Sequence, residues 1–562
     1  MKKNIIIKGL AGLGVALSLG SCASDYLDLK PITSIDSSTV NGSVDGSQIA
    51  AYGVFRSMWW AESRYGAGQR FVQGEASVSV IYNDVFGVDG WYHVWAGYGA
   101  NMFNWDYMNQ KGFWMCGVPW SYYYALISEA NRILDGIDTA EGDDSQRAFV
   151  KAQMLTMRAH SYERLLRYYA PRWEDSNNGE APSVVLRTTF STDPTPRVSM
   201  NTVMNQIYSD LDLAIQLYQQ SGQSRSNMWE TDIEIAYGVY ARAAMTKNDW
   251  NTAANMAKAA RNGYSIMSAD EYQGGFAEAN GEWMWYNAPD PENVFYWSWA
   301  AMYGCNGSYT SYWGQGAGAI NYDLYRQLHE GDIRKNLYLT PDKIPYTSSI
   351  YRPLTENSWW NGDIVSPVSM NLNASNSKMI LACKNFGISR VPNRDEAKWG
   401  LPYTLDSSGD SDENIIPFGA QYKYWGLGAY SVTSFPFMRA SEFALYEAEA
   451  AYHLGDEARA QACLKEVNDK RFTTPYDASA YTGQALMDEI MLTSRIEFWG
   501  EGHTLMNQKR WNVPLERRAW VAGDKTSNNI PAEFAAEFPV DLANGWTWCL
   551  PNAENHYNTD IR

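Results

Sequence analysis

Ala236-Tyr237-Gly238-Val239-Tyr240-Ala241-Arg242-Ala243-Ala244, then Asn248-Asp249-Trp250, then Ala253, Ala257 and Ala260, is the stretch that decides the fold. A related stretch follows 207 residues later: Ala444-Leu445-Tyr446-Glu447-Ala448-Glu449-Ala450-Ala451, Gly455-Asp456-Glu457, then Ala460, Leu464 and Val467. At that offset Ala243 falls on Ala450, Ala244 on Ala451, Asp249 on Asp456 and Ala253 on Ala460. Each copy reads as a helix, a tight turn with an N-capping Asp, and a second helix. Alanines on facing sides let two helices pack closely, which is the logic of a tetratricopeptide-like hairpin. The fold class is therefore mostly α, built on such hairpins.

Longer helices precede the first hairpin. Within 145–169, Ala148, Ala152, Leu155, Ala159, Tyr162, Leu166 and Tyr169 recur at steps of four and three, and Pro171 stops the run. Residues 120–137 and 203–217 have the same period, the latter after the turn Asp193-Pro194-Thr195-Pro196. Between the hairpins, over 270–435, Gly, Asn, Ser, Tyr and Trp replace the helical pattern, and 63–119 has the same character. The expectation is a helical scaffold carrying two large loop-rich excursions, the kind of segment that carries function.

The N-terminus sets the compartment. Met1-Lys2-Lys3-Asn4 leads into an apolar run that ends in Leu19-Gly20-Ser21-Cys22. A basic start, a short apolar middle and small residues before a cysteine read as an export signal over 1–21. The run is too short and too glycine-rich to span a bilayer. Leu-Gly-Ser-Cys looks like a bacterial lipobox, which predicts cleavage before Cys22 and lipid on its sulfur, so that lipid holds the chain on a membrane.

Composition narrows the partners. The 562 residues, 45% hydrophobic, are enough for a large core. The net charge is −18, and loss of Lys2, Lys3 and Lys8 makes it more negative. Such a chain repels phosphate backbones, so no nucleic-acid partner is expected, and a strongly anionic ligand is disfavoured. The six cysteines include no C-x-x-C pair; an exported chain permits a disulfide, but this is not a disulfide-built scaffold. The histidines lack metal-ligand spacing and no Gly-rich loop precedes Lys-Ser/Thr, so neither metal nor cofactor is expected. Aromatic residues make up 14% of the chain, many in Gly/Asn-rich stretches, where they suit a binding surface.

Several motifs, in order, resemble the SusD/RagB family of surface glycan-binding lipoproteins. Asp25-Tyr26-Leu27-Asp28-Leu29-Lys30-Pro31 is similar to that family's mature N-terminus. Trp120-Ser121-Tyr122-Tyr123 with Ala130-Asn131-Arg132-Ile133-Leu134, and Tyr208-Ser209-Asp210-Leu211-Asp212-Leu213-Ala214, resemble two of its helices. Phe437-Met438-Arg439-Ala440-Ser441-Glu442 with Ala448-Glu449-Ala450 resembles a third. Arg495 to His503, Lys509-Arg510-Trp511, Leu550-Pro551 and Glu554 to Asn558 complete the series. His503 stands where the family commonly has Arg, and Asn507-Gln508 where it has Asp-Leu; these positions are expected to be buried packing contacts.

The resemblance implies a single SusD-like domain over 22–562. Its parts are an N-terminal helical region (22–269), a loop-rich insertion (270–435) and a C-terminal helical region (436–562). It also implies a lipid-anchored protein on the exterior of the outer membrane. Such a protein captures a glycan without cleaving it and passes it to a SusC-like TonB-dependent transporter.

A glycan platform needs exposed aromatic planes for sugar C–H faces and short polar groups for hydroxyls. Trp91, Tyr92, Trp95, Tyr98 and Asn101 form one candidate run; Tyr303, Tyr309, Tyr312 and Trp313, among glycines and asparagines, form another. Arg70 and Asp84 are candidate hydroxyl partners, and Trp359-Trp360 beside Asn361 is a further loop candidate. Trp283 and Trp285 alternate as on a strand, which suits core as well as binding; Trp297 and Trp299 suit core better, and Trp59-Trp60 packing. Glu497 and Glu501, four apart, share a face if one helix spans both, and would then be the acid/base pair of an enzyme. Their place in the family's structural C-terminal helix argues against that role. Other readings are capture of a peptide or other non-glycan nutrient, and a glycoside hydrolase, which needs two carboxylates facing across a cleft.

Overall fold

The computed structural model describes residues 42–59, 74–91, 110–274, 278–287, 319–338, 434–519 and 547–559, with shorter pieces between them. The export segment and Cys22 lie outside the described residues. Helices dominate: α1 Val44–Arg56, α2 Gly74–Val80, α3 Val118–Ile137, α4 Asp144–Tyr169, α5 Met200–Ser221, α6 Ile233–Lys247 and α7 Trp250–Ala260. After the short α8 Ala269–Tyr272 and α9 Tyr322–Tyr325 come α10 Ala440–His453, α11 Glu457–Asn468, α12 Gln484–Glu497, α13 Thr504–Trp511 and α14 Asn552–Tyr557. Strands are short: β1 Gly90–Trp91, β2 Pro182–Val185, β3 Arg197–Ser199, β4 Trp283–Tyr286, β5 Ala319–Ile320, β6 Leu354–Ser358, β7 Asp363–Val368, β8 Gly400–Pro402, β9 Ile415–Pro417, β10 Pro436–Arg439, β11 Leu515–Arg517 and β12 Ala536–Phe538. They form separate antiparallel pairs, among them β1–β5 and β4–β10.

Side-chain caps start the long helices where the sequence offers them. Asp143 accepts from Gln146 N at the head of α4 and Ser199 from Thr202 N at the head of α5. Pro119 sits in the first turn of α3, where its missing N–H costs nothing. One buried side chain then joins all three. Arg158 of α4 donates to both carboxylate oxygens of Asp210 on α5, at 2.8 and 2.7 Å, and to Oδ1 of Asn131 on α3, at 2.8 Å. A bidentate pair with every donor used is the form in which a buried charge is tolerated.

The 207-residue repeat is structural. Asn248 (φ 58°) and Gly455 (φ 78°) occupy equivalent left-handed positions in the two turns. The next amide closes each turn identically: Asp249 N donates to Ala244 O and Asp456 N to Ala451 O, both at 2.9 Å. Each Asp then caps its second helix, accepting from Thr252 N and Arg459 N respectively. The facing alanines are buried, among them Ala243, Ala244, Ala253, Ala257, Ala450, Ala451 and Ala460. The two hairpins also pack on each other. Trp250 stacks on His453 with ring centroids 4.0 Å apart, and Arg261 and Arg459 both reach Glu447. Below them Arg242 of α6 pairs with Glu442 of α10 at 2.7 Å, each 1% exposed.

The expectation of loops over 63–119 is partly overturned. Residues 74–85 are helical, α2 running into one π turn at Ile81–Val85, and every residue but the half-buried Ala76 is buried. Gly74 adopts φ 76° where a Cβ would collide with the carbonyl of Met58, so the chain can enter the core there only as glycine. Trp283 and Trp285 are core: 1% and 0% exposed, on β4, with Trp285 Nε1 donating to Trp229 O. Trp59 is half-buried and packs against Trp229.

β4 and β10 bracket the insertion. Trp283 faces Arg439 and Tyr286 faces Pro436 in register, and Asn287 N donates to Phe435 O at 3.4 Å. The two ends of the insertion thus meet at one strand pair. The C-terminal segment folds back onto the N-terminal helices. Trp548 packs its ring on Tyr82 and Phe86, and Trp120 Nε1 donates to Glu554. No helix among the described residues is long and apolar enough to cross a membrane.

Candidate functional site

Of the sequence-predicted contacts, Trp91 ends β1, where its backbone is described. Arg70, Tyr92, Trp95, Tyr98, Asn101, Tyr303, Tyr309, Tyr312 and Trp313 lie outside the described residues, as do Trp60, Trp297, Trp299, Trp359 and Trp360. What the structure shows is the base from which the two candidate runs depart.

That base is the β1–β5 pair. Gly90 lies opposite Ile320 and Trp91 opposite Ala319. Three side chains hold the joint. Trp499 Nε1 and Asn321 N both donate to Asp89 O at 2.9 Å, Asn321 Nδ2 donates to Val88 O at 2.7 Å, and Arg495 pairs with the Asp89 carboxylate. Gly90 suits the close crossing: a Cβ there would sit 3.2 Å from Ala319 O and from the Trp499 ring, so a neighbour would have to give by a few tenths of an ångström. From the other side Ile320 N donates to Gly419 O and Ile320 O accepts from Asn529 Nδ2.

Under this joint lies a buried charge cluster. Arg439 donates to Glu282, Glu497 and Glu501 at 2.6–2.8 Å. Arg471 and Arg334 also hold Glu497, Arg334 pairs with Asp332, and Lys423 donates to Glu501 at 2.7 Å. Cations and carboxylates are equal in number, and all are nearly or wholly out of solvent. Burial alone would raise the Glu497 pKa; Arg471, Arg439 and Arg334 overcome it and hold the carboxyl well below its usual range. Burial lowers Lys423 to about 8 despite Glu501.

The carboxylates considered for catalysis are thus consumed. Helix α12 ends at Glu497, and Gly500 (φ 78°) and Gly502 (φ 82°) turn the chain before and after Glu501, so the two do not share a helix face. Both point inward to the same Arg439 rather than across a cleft.

Asp84 is also corrected. It is 4% exposed and accepts from Gly502 N at 2.7 Å and Thr504 N at 3.3 Å, so it anchors the turn after α12 and presents nothing to a sugar. Burial raises its pKa to about 7 against the lowering effect of those bonds, with Asp89 adding to the rise. His503, Asn507 and Gln508 are buried, as packing positions should be. The His503 imidazole is held neutral, by burial first and then by Arg242, Arg164, Arg167 and Arg439. An arginine there would add another cation to that group.

One feature went unread in the sequence, a small open cleft of about 30 Å³ where α4, α6 and α13 meet, lined by Trp173, Arg172, Thr246, Lys509 and Arg510. Its only sequence signal is Lys509-Arg510-Trp511. The motif residues serve the scaffold here: Arg510 and Trp511 Nε1 both donate to Glu449 of α10, and Lys509 Nζ donates to the carbonyls of Arg167 and Ala170. No group of three or more His, Cys, Asp or Glu among the described residues could hold a metal ion.

Comparisons with known proteins follow the same lines. Residues 25–245 match a SusD-like family model described as starch-binding associating with the outer membrane, and residues 420–547 match the SusD family model. A SusD-like carbohydrate binding protein from Bacteroides vulgatus superposes with a TM-score of 0.68 at 19% identity, over 92% of this chain and 97% of that one. A SusD superfamily protein from Bacteroides thetaiotaomicron gives 0.62 at 16%, over 92% and 99%. Surface glycan-binding protein A from Bacteroides thetaiotaomicron gives 0.60 at 14%, over 93% and 98%. At these identities the likeness establishes the fold alone. No curated protein matches the chain. With family matches at both flanks and the signature residues paired through the scaffold between them, the chain belongs to the SusD/RagB family.

Proposed function

We propose that this protein is a non-catalytic glycan-binding lipoprotein on the exterior of the outer membrane. Lipid on Cys22 anchors it, and it captures oligosaccharide for import by a SusC-like TonB-dependent transporter. The observation that supports the reading is the β1–β5 pair, which sets Trp91 opposite Ala319, six residues after Trp313 in the chain. At about 3.5 Å per residue, Trp95 lies within about 14 Å of Trp91 and Trp313 within about 21 Å of Ala319. Two aromatic planes so tethered can serve one chain of sugar rings. Trp91, Tyr92, Trp95, Tyr98, Tyr303, Tyr309, Tyr312 and Trp313 supply stacking surfaces, and Asn101 and Arg70 supply hydroxyl contacts. Asp84 has no place in this site, and the fully engaged Glu497 and Glu501 favour binding over hydrolysis.

The test is retardation in native gels containing neutral plant, fungal and host polysaccharides, with released reducing sugar assayed in parallel. One polysaccharide should retard the protein without sugar release. Trp95→Ala and Trp313→Ala should each weaken that binding by about tenfold while leaving circular dichroism unchanged. Unchanged titrations for both variants remove the site, and sugar release removes the non-catalytic reading. Binding of peptides with no polysaccharide bound would reassign the protein to a non-glycan nutrient. Co-purification of a large outer-membrane β-barrel with the lipidated protein tests the transporter.

A further inference from the structure

We propose that Cys116 and Cys549 close a disulfide in the exported protein, joining the return foot of the first aromatic excursion to the C-terminal segment. The inference rests on the export reading for its oxidising surroundings and on geometry for the pairing. The two sulfurs are 3.4 Å apart, already in contact, though 433 positions separate them in the chain. Two backbone bonds hold the C-terminal segment against the segment that precedes Cys116: Cys549 N donates to Met108 O at 2.8 Å and Asn552 N to Lys111 O at 3.0 Å. Cys116 is fixed further by its own carbonyl, which accepts from Tyr169 OH at 2.7 Å, and by its sulfur, which donates to Gln110 O at 3.2 Å. Small side-chain rotations bring sulfurs so placed to the bonding distance of about 2 Å.

The two thiols differ in access, which orders the chemistry. Cys116 is wholly buried and Cys549 half-buried, so an external disulfide meets Cys549 first. The hydrogen bond with Cys116 and the Lys111 ammonium lower the Cys549 pKa, although burial opposes them. The Cys549 thiolate attacks one sulfur of an oxidant disulfide (a glutathione disulfide or a disulfide-donor protein) and expels the other as thiolate, which takes up the Cys549 proton. Cys116 then attacks the Cys549 sulfur of the mixed disulfide and expels the second thiolate, which takes up the Cys116 proton. Two protein thiols become one disulfide and one oxidant disulfide becomes two thiols.

The bond would lie at the return foot of the first candidate run, away in sequence from its aromatic residues. Pairing of β1 with β5 pins the foot from which the first excursion leaves, at Trp91. Residues 108–118 are where it returns, held by Tyr82 OH on Met115 O and by Cys549 N on Met108 O. The disulfide would make the second foot as fixed as the first.

The test uses the full mature chain, recovered from cells without reductant, alkylated after denaturation and mapped by mass spectrometry. The expected result is one cross-linked peptide containing Cys116 and Cys549, separated by dithiothreitol, with Cys463 recovered as an alkylated thiol. The same peptide should form when the reduced, purified chain is equilibrated with oxidised glutathione. Melting temperature should rise by several degrees on that oxidation in the parent and not in Cys549→Ser, whose circular dichroism should match the reduced parent. Recovery of both cysteines as alkylated thiols after glutathione, or linkage of either to Cys305, Cys383 or Cys463, overturns the pairing. A cross-link formed in glutathione but absent from cells overturns the claim for the exported state. Neither result bears on polysaccharide retardation, so failure here and failure of the glycan reading are separable.

Discussion

The two hairpins share a turn but not a foundation. α6 starts on its own cap: Asp232 accepts from Ile235 N three residues on. α10 has no such cap, because its N-cap residue is Arg439, whose side chain turns away into the charge cluster. Its first amides are satisfied instead by Glu282, 159 residues upstream: the backbone carbonyl accepts from Ala440 N and the carboxylate from Ser441 N. The first hairpin is specified by its own residues. The second leans for its first amides on the insertion's entry strand and, through Arg439, on the far end of α12. One motif can thus be a local folding unit in one place and a tertiary construction in another.

That contrast can be broken by mutation. Arg439→Met should be the most damaging change, about 3–5 kcal/mol by urea unfolding, because it strands Glu282, Glu497 and Glu501 without their shared cation. Asp232→Ala, at the matching position of the first hairpin, removes the cap and the ion pair with Arg225 and should cost about 2 kcal/mol. Equal costs would erase the distinction between the hairpins.

The second foundation should also respond to pH. The Asp84 pKa is raised from 3.8 unfolded to about 7 folded, so the native state holds its proton more tightly. The stabilisation is full below 3.8 and is lost as pH rises to about 7, up to a few kcal/mol in all. Asp84→Asn should remove that part of the slope, and a slope unchanged by the substitution would detach Asp84 from the turn at 500–504.

The smallest effects lie in the shared turn. Gly455→Ala should cost about 1 kcal/mol from its φ of 78° alone, since nothing lies within 4 Å of the added Cβ. Asn248→Gly, at the equivalent position, should change stability by only a few tenths of a kcal/mol. A larger loss at Asn248 would mean that its side chain, which donates to Glu174, does more than fill a left-handed position.

These contrasts mark what could be read from the sequence. The hairpins were legible because their signals are local: alanine spacing, an Asp cap and a left-handed residue lie within a few positions of one another. The family motifs were legible as strings, but what they do was not. Asn131 and Asp210 meet at Arg158, Trp120 meets Glu554, and Arg439 meets Glu497 and Glu501 across gaps that no window spans. Asp84 was misread for the same reason. Beside Tyr82 and Asn83 it looks like a polar loop residue, and its partner amide at Gly502 is 418 positions away. The burial of 74–85 was hidden by its glycine and serines, which here permit close approach rather than a loop. The pairing of Trp91 with Ala319 came from β1 and β5, two residues each, too short to announce a strand.

The contact between Asn287 and Phe435 has a consequence for how such a protein can change. The two ends of the 288–434 segment are clasped by one strand pair, β4 with β10. Closing a loop costs little more when the loop grows, about 0.6 kcal/mol per doubling of its length. A replacement cassette of different size could therefore be spliced into the same clasp. It would need to keep a strand for β1, the Asn321 contacts with Val88 and Asp89, the backbone contacts of Gly331 and Ile333 with the segment after α11, and the two cations, Arg334 and Lys423, that the scaffold's carboxylates require. Ligand preference could then be exchanged by recombination, one cassette at a time, while the helical core inherits nothing new.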